Sequence, residues 1–580
     1  MASTSKQSRY MFVAYKEPAV PVQGQKRRRG GAREVRAHIT KEFHRKLRVK
    51  RLADGSIPDD KKAPDDTPTK GTSGSEPEAQ HGPDEGIDQE ETRPETVAPE
   101  QFFSSQQEHS RPPTVGSPGT RSVEDSRLPR RRPRREPLPG LKQVLGEGRT
   151  DPFDALPIRK MSTYLHMVLD HALTFSWPNT VPVKCRDRNS NPVKREWLQC
   201  AMQWPVVFHA FIYATTLHLL CVYQGRELIH SAPVMRLQHK GQVIKLLNEH
   251  LRHLEGPPMD ALIMSIAILA IHGEYDATVY PEIHPVSPLA KAQNLHVYGS
   301  MINDEQHVHA ILMLIMRKGG LDAMELFGMA DTMALCDLFF ATKHVRRPIF
   351  PLRRPPQSLV LSGRHKLDAT AIEMDSQLGS GFKYFRFFAN GSELLSVLEL
   401  WFDVTIALDH YIRRGPTAPD FVDLVEARTA SQHSLLSQLP EILETDNPEF
   451  CVLHATRLAT LVYGDMVIIP LPPTQRVKAG LSSRLFKILQ ACEELCCWDL
   501  HGQVLLWALT LGAIAASHMP ARELYVQQLR KYVSALEVKD WPALETICLK
   551  HLWWKPVCSP AGQKLWGELF PSDQISSEGG

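Results

Sequence analysis

Residues 196–223 read EWLQCAMQWPVVFHAFIYATTLHLLCVY, and the fold class turns on this run. Its apolar residues recur at helical spacing and do not alternate, which predicts a helix. The uncharged stretch around it, Leu198 to Gly225, is long enough to cross a bilayer. It also carries Gln199, Gln203, Pro205, His209 and His218, polar groups that a hydrocarbon core penalises. A second uncharged stretch, Leu500 to Ala521, carries His501, Gln503 and His518. Both are therefore read as buried helices of a large soluble protein, with no membrane partner.

The same texture runs through most of residues 151–571. Helical spacing predicts helices at 161–175, 234–254, 259–272, 304–318, 331–342, 393–413, 430–444, 482–497, 502–517, 521–536 and 542–552. Strand-like alternation bounded by hairpin turns is nearly absent. Loops are expected near 273–300, 344–380 and 466–481, and no fixed repeat supports a solenoid. The expected fold class is all-α: one large multi-helix domain over 151–571, followed by a short tail at 572–580.

Charge separates this body from what precedes it. The chain has 580 residues, 68 Lys/Arg and 65 Asp/Glu, a formal net charge of +3. Residues 1–150 hold 29 basic and 22 acidic residues, and the remainder holds 39 and 43. The near-neutral total thus averages a basic arm and a mildly acidic body. All ten cysteines lie in the body, the first at Cys185. Their irregular spacing fits a reducing compartment better than a disulfide framework. Met1 to Tyr10 is polar and shows no secretory h-region.

The arm is poor in aliphatics and rich in Pro, Ser, Gly and charge, so burial cannot offset its ordering entropy. It divides into a disordered basic segment (1–32), a basic amphipathic helix (33–52) and an acidic, Pro-rich linker with a basic cluster (53–150). Val35, Ile39, Phe43 and Leu47 recur every four residues along one face of that helix. Arg36, Lys41, Arg45, Lys46, Arg48, Lys50 and Arg51 cover much of the rest. Lys26, Arg27, Arg28 and Arg29 precede it; Arg130, Arg131, Arg132, Arg134 and Arg135 follow in the linker. Such clusters predict nuclear import through an import receptor and nonspecific, salt-sensitive nucleic-acid contact. Nothing in them reads bases.

The body offers little chemistry. Cys492, Cys496 and Cys497 form C-x-x-x-C-C on a helical pattern, but no second knuckle completes four zinc ligands. His250-x-x-His253 and His307-x-His309 lack the Glu of a zinc-protease helix. Gly379-Ser380-Gly381 lacks a third glycine and a preceding strand, and no G-x-x-x-x-G-K-[ST] occurs. Arg317-Lys318-Gly319-Gly320 reads as a helix end, where cations and glycine satisfy dipole and capping needs. No nucleophile elbow is present. The expectation is a non-enzyme with no catalytic, cofactor-binding or metal residues and no cofactor.

Several motifs, taken in order, resemble the fungal-specific transcription-factor domain. Asp151-Pro152-Phe153 with Leu156-Pro157 is similar to its "DPF…LP" opening. Arg317 to Leu321 is similar to its "RGGL" turn. Asp337, Pro348 and Phe350 match "D…A…P-x-F". Leu506-Trp507-Ala508-Leu509 with Gly512 is similar to "LWxLxxxG". Arg522, Trp541, Leu552-Trp553, Cys558, Gly562 and Leu565-Trp566 follow the terminal order "R…W…LW…C…G…LW". Phe12-Val13, Arg36-Ala37-His38 and the basic helix resemble the opening of a branch without the binuclear zinc cluster, sometimes labelled "tachykinin family protein", a label that implies no hormone activity. Residues 1–184 contain no cysteine, so the family's zinc-dependent DNA reading does not carry over. The resemblance implies a helical regulatory fold, nuclear residence and transcriptional co-regulators as partners. Trp507, Trp541, Trp553 and Trp566 are expected to pack the core. The rival expectation is a helical interaction scaffold without direct DNA binding; an enzyme with a dispersed site comes third.

Overall fold

The computed structural model describes residues 162–185, 190–222, 232–256, 258–275, 284–360, 366–415, 417–472 and 477–570. The arm with its basic helix and clusters, the 151–157 motif and the 572–580 tail lie outside the described residues.

The described chain is all-α. Thr163–His171 (α1) starts on Ser162, whose hydroxyl accepts from the Leu165 amide, and widens into a π turn at Ala172–Ser176. Pro192–Gln203 (α2) starts on Asn191, whose side chain accepts from the Val193 amide at 2.9 Å. Pro205–Val222 (α3) follows directly. The single helix expected over 196–223 is thus two, because a residue before proline is pushed out of the helical region and Trp204 is extended. Ala232–Arg252 (α4), Asp260–Ile271 (α5), Glu305–Lys318 (α6) and Met329–His344 (α7) follow. Between α5 and α6, Glu274–Tyr275 (β1) pairs antiparallel with Met301–Ile302 (β2).

The second half comprises Ala369–Gln377 (α8), Gly391–Arg413 (α9), Phe421–Ser437 (α10), Pro448–Tyr463 (α11), Val477–Glu494 (α12), Trp498–Ala515 (α13), Arg522–Ala535 (α14), Trp541–Leu549 (α15) and Lys555–Leu569 (α16). Four expectations need correction. The helix expected at 430–444 lies earlier, at α10, and stops ahead of Pro440. The 344–380 loop contains α8, capped by Asp368 on the Ala371 amide. The 466–481 loop is cut short by α12. The helices α11 and α16 were not expected at all: Pro560 inside α16 reads as a breaker in isolation.

Apolar residues form two main cores. Parts of α1 to α6 enclose one around Trp177, Trp197, Phe208 and Ile263. The helices α8 to α16 enclose the other around Trp401, Tyr463, Trp507 and Trp553. The helix α7 belongs to both: Met329, Ala330 and Met333 enter the first core, Leu335, Leu338, Phe339 and Ala341 the second. The α3 run is uncharged because α1, α2, α4 and α5 pack around it. Pro205–Val222 and Pro448–Ile468 are long and apolar enough to span a bilayer, but most of each is buried within the fold.

Candidate functional site

The helix shared by the two cores also lines a cavity. It begins at Gly328 (φ 73°), where the Val181 side chain comes close, and ends at Val345 in the left-handed region. Met333, Cys336, Phe340 and Lys343 recur at three- and four-residue spacing, so they share one face. That face lines a cavity of about 130 Å3. The opposite walls come from Trp177, Trp197 on α2, Phe211 on α3, Ile268 on α5 and Ile311 on α6.

Most of its polar groups lie on α7 and on the 272–303 segment, with Ser176, Thr180, Thr215 and Arg346 beside them. Lys343 donates from Nζ to the carbonyls of Met301 (3.0 Å) and Tyr298 (3.3 Å). Burial pushes this ammonium down to about 8, with a small opposing effect from Cys336. Burial pushes the Cys336 thiol up to about 12. The His272 Nδ1 donates to the Ile268 carbonyl at 3.0 Å, and burial holds its ring down to about 4. The His272 carbonyl accepts from the Tyr213 hydroxyl and from Arg236. The Tyr298 hydroxyl, raised by burial, bonds to Thr180 and Ser176. Asp337 accepts the amides of Ile349 (2.7 Å) and Phe350 (2.9 Å) through one oxygen.

A second cavity of about 150 Å3 lies between α7, α10 and the 350–359 segment. Thr180, Gln293, Leu335 and Phe350 line both. Gln293 and its neighbour Asn294 are consecutive left-handed residues (φ 52° and 56°), a conformation costing roughly 1–2 kcal/mol each. Surrounding bonds hold them there. Asn294 donates to the Ser176 carbonyl (3.0 Å) and Thr180 Oγ1 (3.1 Å), and its amide oxygen accepts from Asn179 (2.8 Å). Gln293 Oε1 accepts from Arg428 at 2.6 Å. Arg428 is fully buried, and burial pushes its guanidinium down to about 9. A strained, tightly held turn thus abuts both cavities, a placement typical of switch and ligand-clamp regions.

The sixteen basic residues expected to contact an import receptor or nucleic acid all lie outside the described residues. The other sequence candidates sit as follows. Cys496 is exposed and left-handed (φ 57°), apart from buried Cys492 and Cys497. The Cys492 thiol bonds to those of Cys451 and Cys497, which, with burial, raises it. Among the described residues no group of three or more His, Cys, Asp or Glu is placed to hold a metal. The His250 ring meets Trp204 edge-on at 6.0 Å, and His307 pairs with Asp304 at 3.1 Å. Gly319 and Gly320 end α6 with positive φ, and Lys318 pairs with Asp260 at 3.0 Å. A Cβ on Gly379 or Gly381 would strike Phe402 or His551, so that pair serves close packing.

The terminal motif builds core. Trp507 and Trp553 are fully buried, and Trp507 donates to the Leu552 carbonyl at 2.9 Å. Trp541 and Trp566 are partly buried against the same core. Arg522 bridges Glu568 at 2.7 Å. Compared with family models, curated proteins and solved structures, the chain matches none.

The residues that sequence reasoning missed are Lys343, Cys336, Gln293 and Arg428. In Cys336-Asp-Leu-Phe-Phe-Ala-Thr-Lys343 the lysine sits in the last helical turn, where a cation complements the dipole without any ligand. The local pattern therefore satisfied every demand on it. The one available signal was the i, i+7 pairing of Cys336 and Lys343 on an apolar face.

Proposed function

We propose that this protein is a fungal nuclear transcription-regulator-like protein whose helical body senses a small, largely apolar molecule. The observation that carries the reading is the cavity at α7: an apolar chamber with few polar groups, set where two cores meet and beside a strained turn. Ligand pockets are mostly apolar, with a small number of placed polar groups. Filling it would bias the Gln293–Asn294 turn and so the contact between the cores. The transcriptional and nuclear part rests on the ordered motifs resembling the fungal regulatory domain and on the basic clusters of the arm. The cavity groups argue for binding over catalysis. His272 Nδ1 and Asp337 are spent on backbone groups, Cys336 is held as a thiol, and the bonds around the cavity include no nucleophile–base pair among the described residues.

Chromatin mapping of the tagged protein, with and without residues 1–150, tests the regulator. Reproducible promoter peaks are expected, weakened by loss of the arm; a flat profile from the intact protein refutes it. Replacing Lys26, Arg27, Arg28, Arg29, Arg45, Lys46, Arg48, Lys50 and Arg51 with Ala is expected to release a fluorescent fusion into the cytoplasm. Unchanged nuclear fluorescence sinks the import claim.

A second reading is an interaction scaffold without direct DNA binding. The face of α4 favours it: Val234 (58% exposed), Leu237 (61%), Ile244 (40%) and Leu251 (38%) form one apolar stripe at helical spacing. Such a stripe is unusual on a free surface. A flat chromatin profile with retained partner capture would favour the scaffold.

A further inference from the structure

The charges lining the cavity do not balance. Among the described residues two cations line it, Lys343 and Arg346, against one carboxylate, Asp337. Asp337 is spoken for: it holds the Ile349 and Phe350 amides and faces Arg346. Arg346 stacks its guanidinium 4.3 Å from the Phe340 ring centre. Lys343 has no carboxylate within ion-pair distance among the described residues, only two backbone carbonyls. An ammonium carries three protons, so among the described residues one donor and the charge stay uncommitted. A buried charge without a counter-charge is costly, and burial does push this lysine down to about 8. The remaining lining is overwhelmingly aliphatic and aromatic.

We infer that this cavity takes a small apolar carboxylic acid as its monoanion, with the carboxylate paired to Lys343 Nζ and the hydrocarbon part packed among Trp177, Trp197, Phe211 and Ile268. The inference rests on reading the cavity as a ligand site and adds the chemical class. One surplus positive charge matches one carboxylate and disfavours a dianion such as a phosphate monoester. The size follows from the volume: about 130 Å3 is close to the roughly 150 Å3 in which an apolar protein cavity holds benzene. The ligand body is therefore about one aromatic ring or a short alkyl chain. Lysine suits a carboxylate here because its charge is compact and its stem lies along the apolar wall.

The test is calorimetric titration of the full chain with benzoate and with benzyl alcohol, its neutral counterpart of similar size. A charge-assisted bond in a desolvated site is expected to make benzoate bind about tenfold to a hundredfold tighter. Lys343→Met keeps the apolar stem and removes the charge; it should bring benzoate affinity down to that of benzyl alcohol and leave the alcohol within about twofold. The wild-type comparison needs no variant, so poor folding of Lys343→Met would not remove the test. Benzyl alcohol binding as tightly as benzoate, or a preference that survives in folded Lys343→Met, overturns the anion assignment and leaves the cavity a neutral-ligand site. If neither compound binds the folded wild type, this inference and the small-molecule part of the proposed function both fall.

Discussion

Replacing Lys478 with Met should destabilise the C-terminal core by about 3–5 kcal/mol, because it strands a buried carboxylate. Asp465 sits in the π turn Gly464–Ile468 that continues α11, with only 4% of its side chain exposed. Lys478, in the first turn of α12, donates to its carboxylate and, at 3.0 Å, to its backbone carbonyl. Burial raises the Asp465 carboxyl, and Lys478 works against that rise. Without the lysine, the carboxyl must either stay ionised and unpaired or take up a proton, and both cost stability. The double variant Asp465→Leu with Lys478→Met removes both charges. It leaves the Asp465 carbonyl without its donor and the Leu471 amide without its acceptor, about 1 kcal/mol each. The double variant should therefore be about 1–3 kcal/mol more stable than Lys478→Met alone, read from urea midpoints followed by far-UV circular dichroism. A Lys478→Met cost below about 1 kcal/mol, or a double variant as unstable as the single one, would refute the reasoning.

Three further outcomes follow from the packing. His272 and His551 are held near 4 by burial against an ordinary 6.5, so the unfolded chain binds more protons below pH 6.5. Stability should fall slightly from pH 7.5 to 6.5 and more steeply below, each ring contributing about 1.4 kcal/mol by pH 5.5; an unchanged urea midpoint at pH 5.5 would contradict this. A Cβ on Gly512 would lie 2.4 Å from Tyr525 Cε1, and the Tyr525 hydroxyl donates to the Ser482 carbonyl at 2.7 Å. Gly512→Ala should therefore cost about 1–3 kcal/mol in denaturant titration, and a neutral effect would show that the ring yields freely. Asp403 receives the Leu359 and Val360 amides (2.7 Å each) and the Ser358 hydroxyl (2.6 Å); Asp403→Ala should cost about 2–4 kcal/mol and speed amide exchange at Leu359 and Val360.

Much of the helical architecture was legible because its causes are local. Asp304 before α6 and Asp540 before α15 each accept amides of the turn they start, and side-chain caps are short-range chemistry. Gly319 and Gly320 end α6 for the same kind of reason. The errors arose where a neighbour in space overrides the local signal. The π turn after α11 depends on Gly464 admitting the Trp401 ring, since a Cβ there would lie 2.7 Å from it. Pro560 is tolerated in α16 because Val557, Cys558, Ala561 and Leu565 are buried in the second core, and tertiary packing outweighs weak local propensity.

By itself the sequence determined that the chain divides into a basic arm and an acidic helical body, and that the motif tryptophans belong to a core. Hydrophobic period and charge are sums over neighbours in the chain, so they survive without coordinates. Only the tertiary structure decided that the body has two main cores sharing α7, and that Lys343 faces an apolar chamber with no carboxylate at ion-pair distance among the described residues. The walls of that chamber come from residues between Ser176 and Phe350, far apart in the chain. Desolvation of a charge depends on everything around it in space, and no local pattern records that.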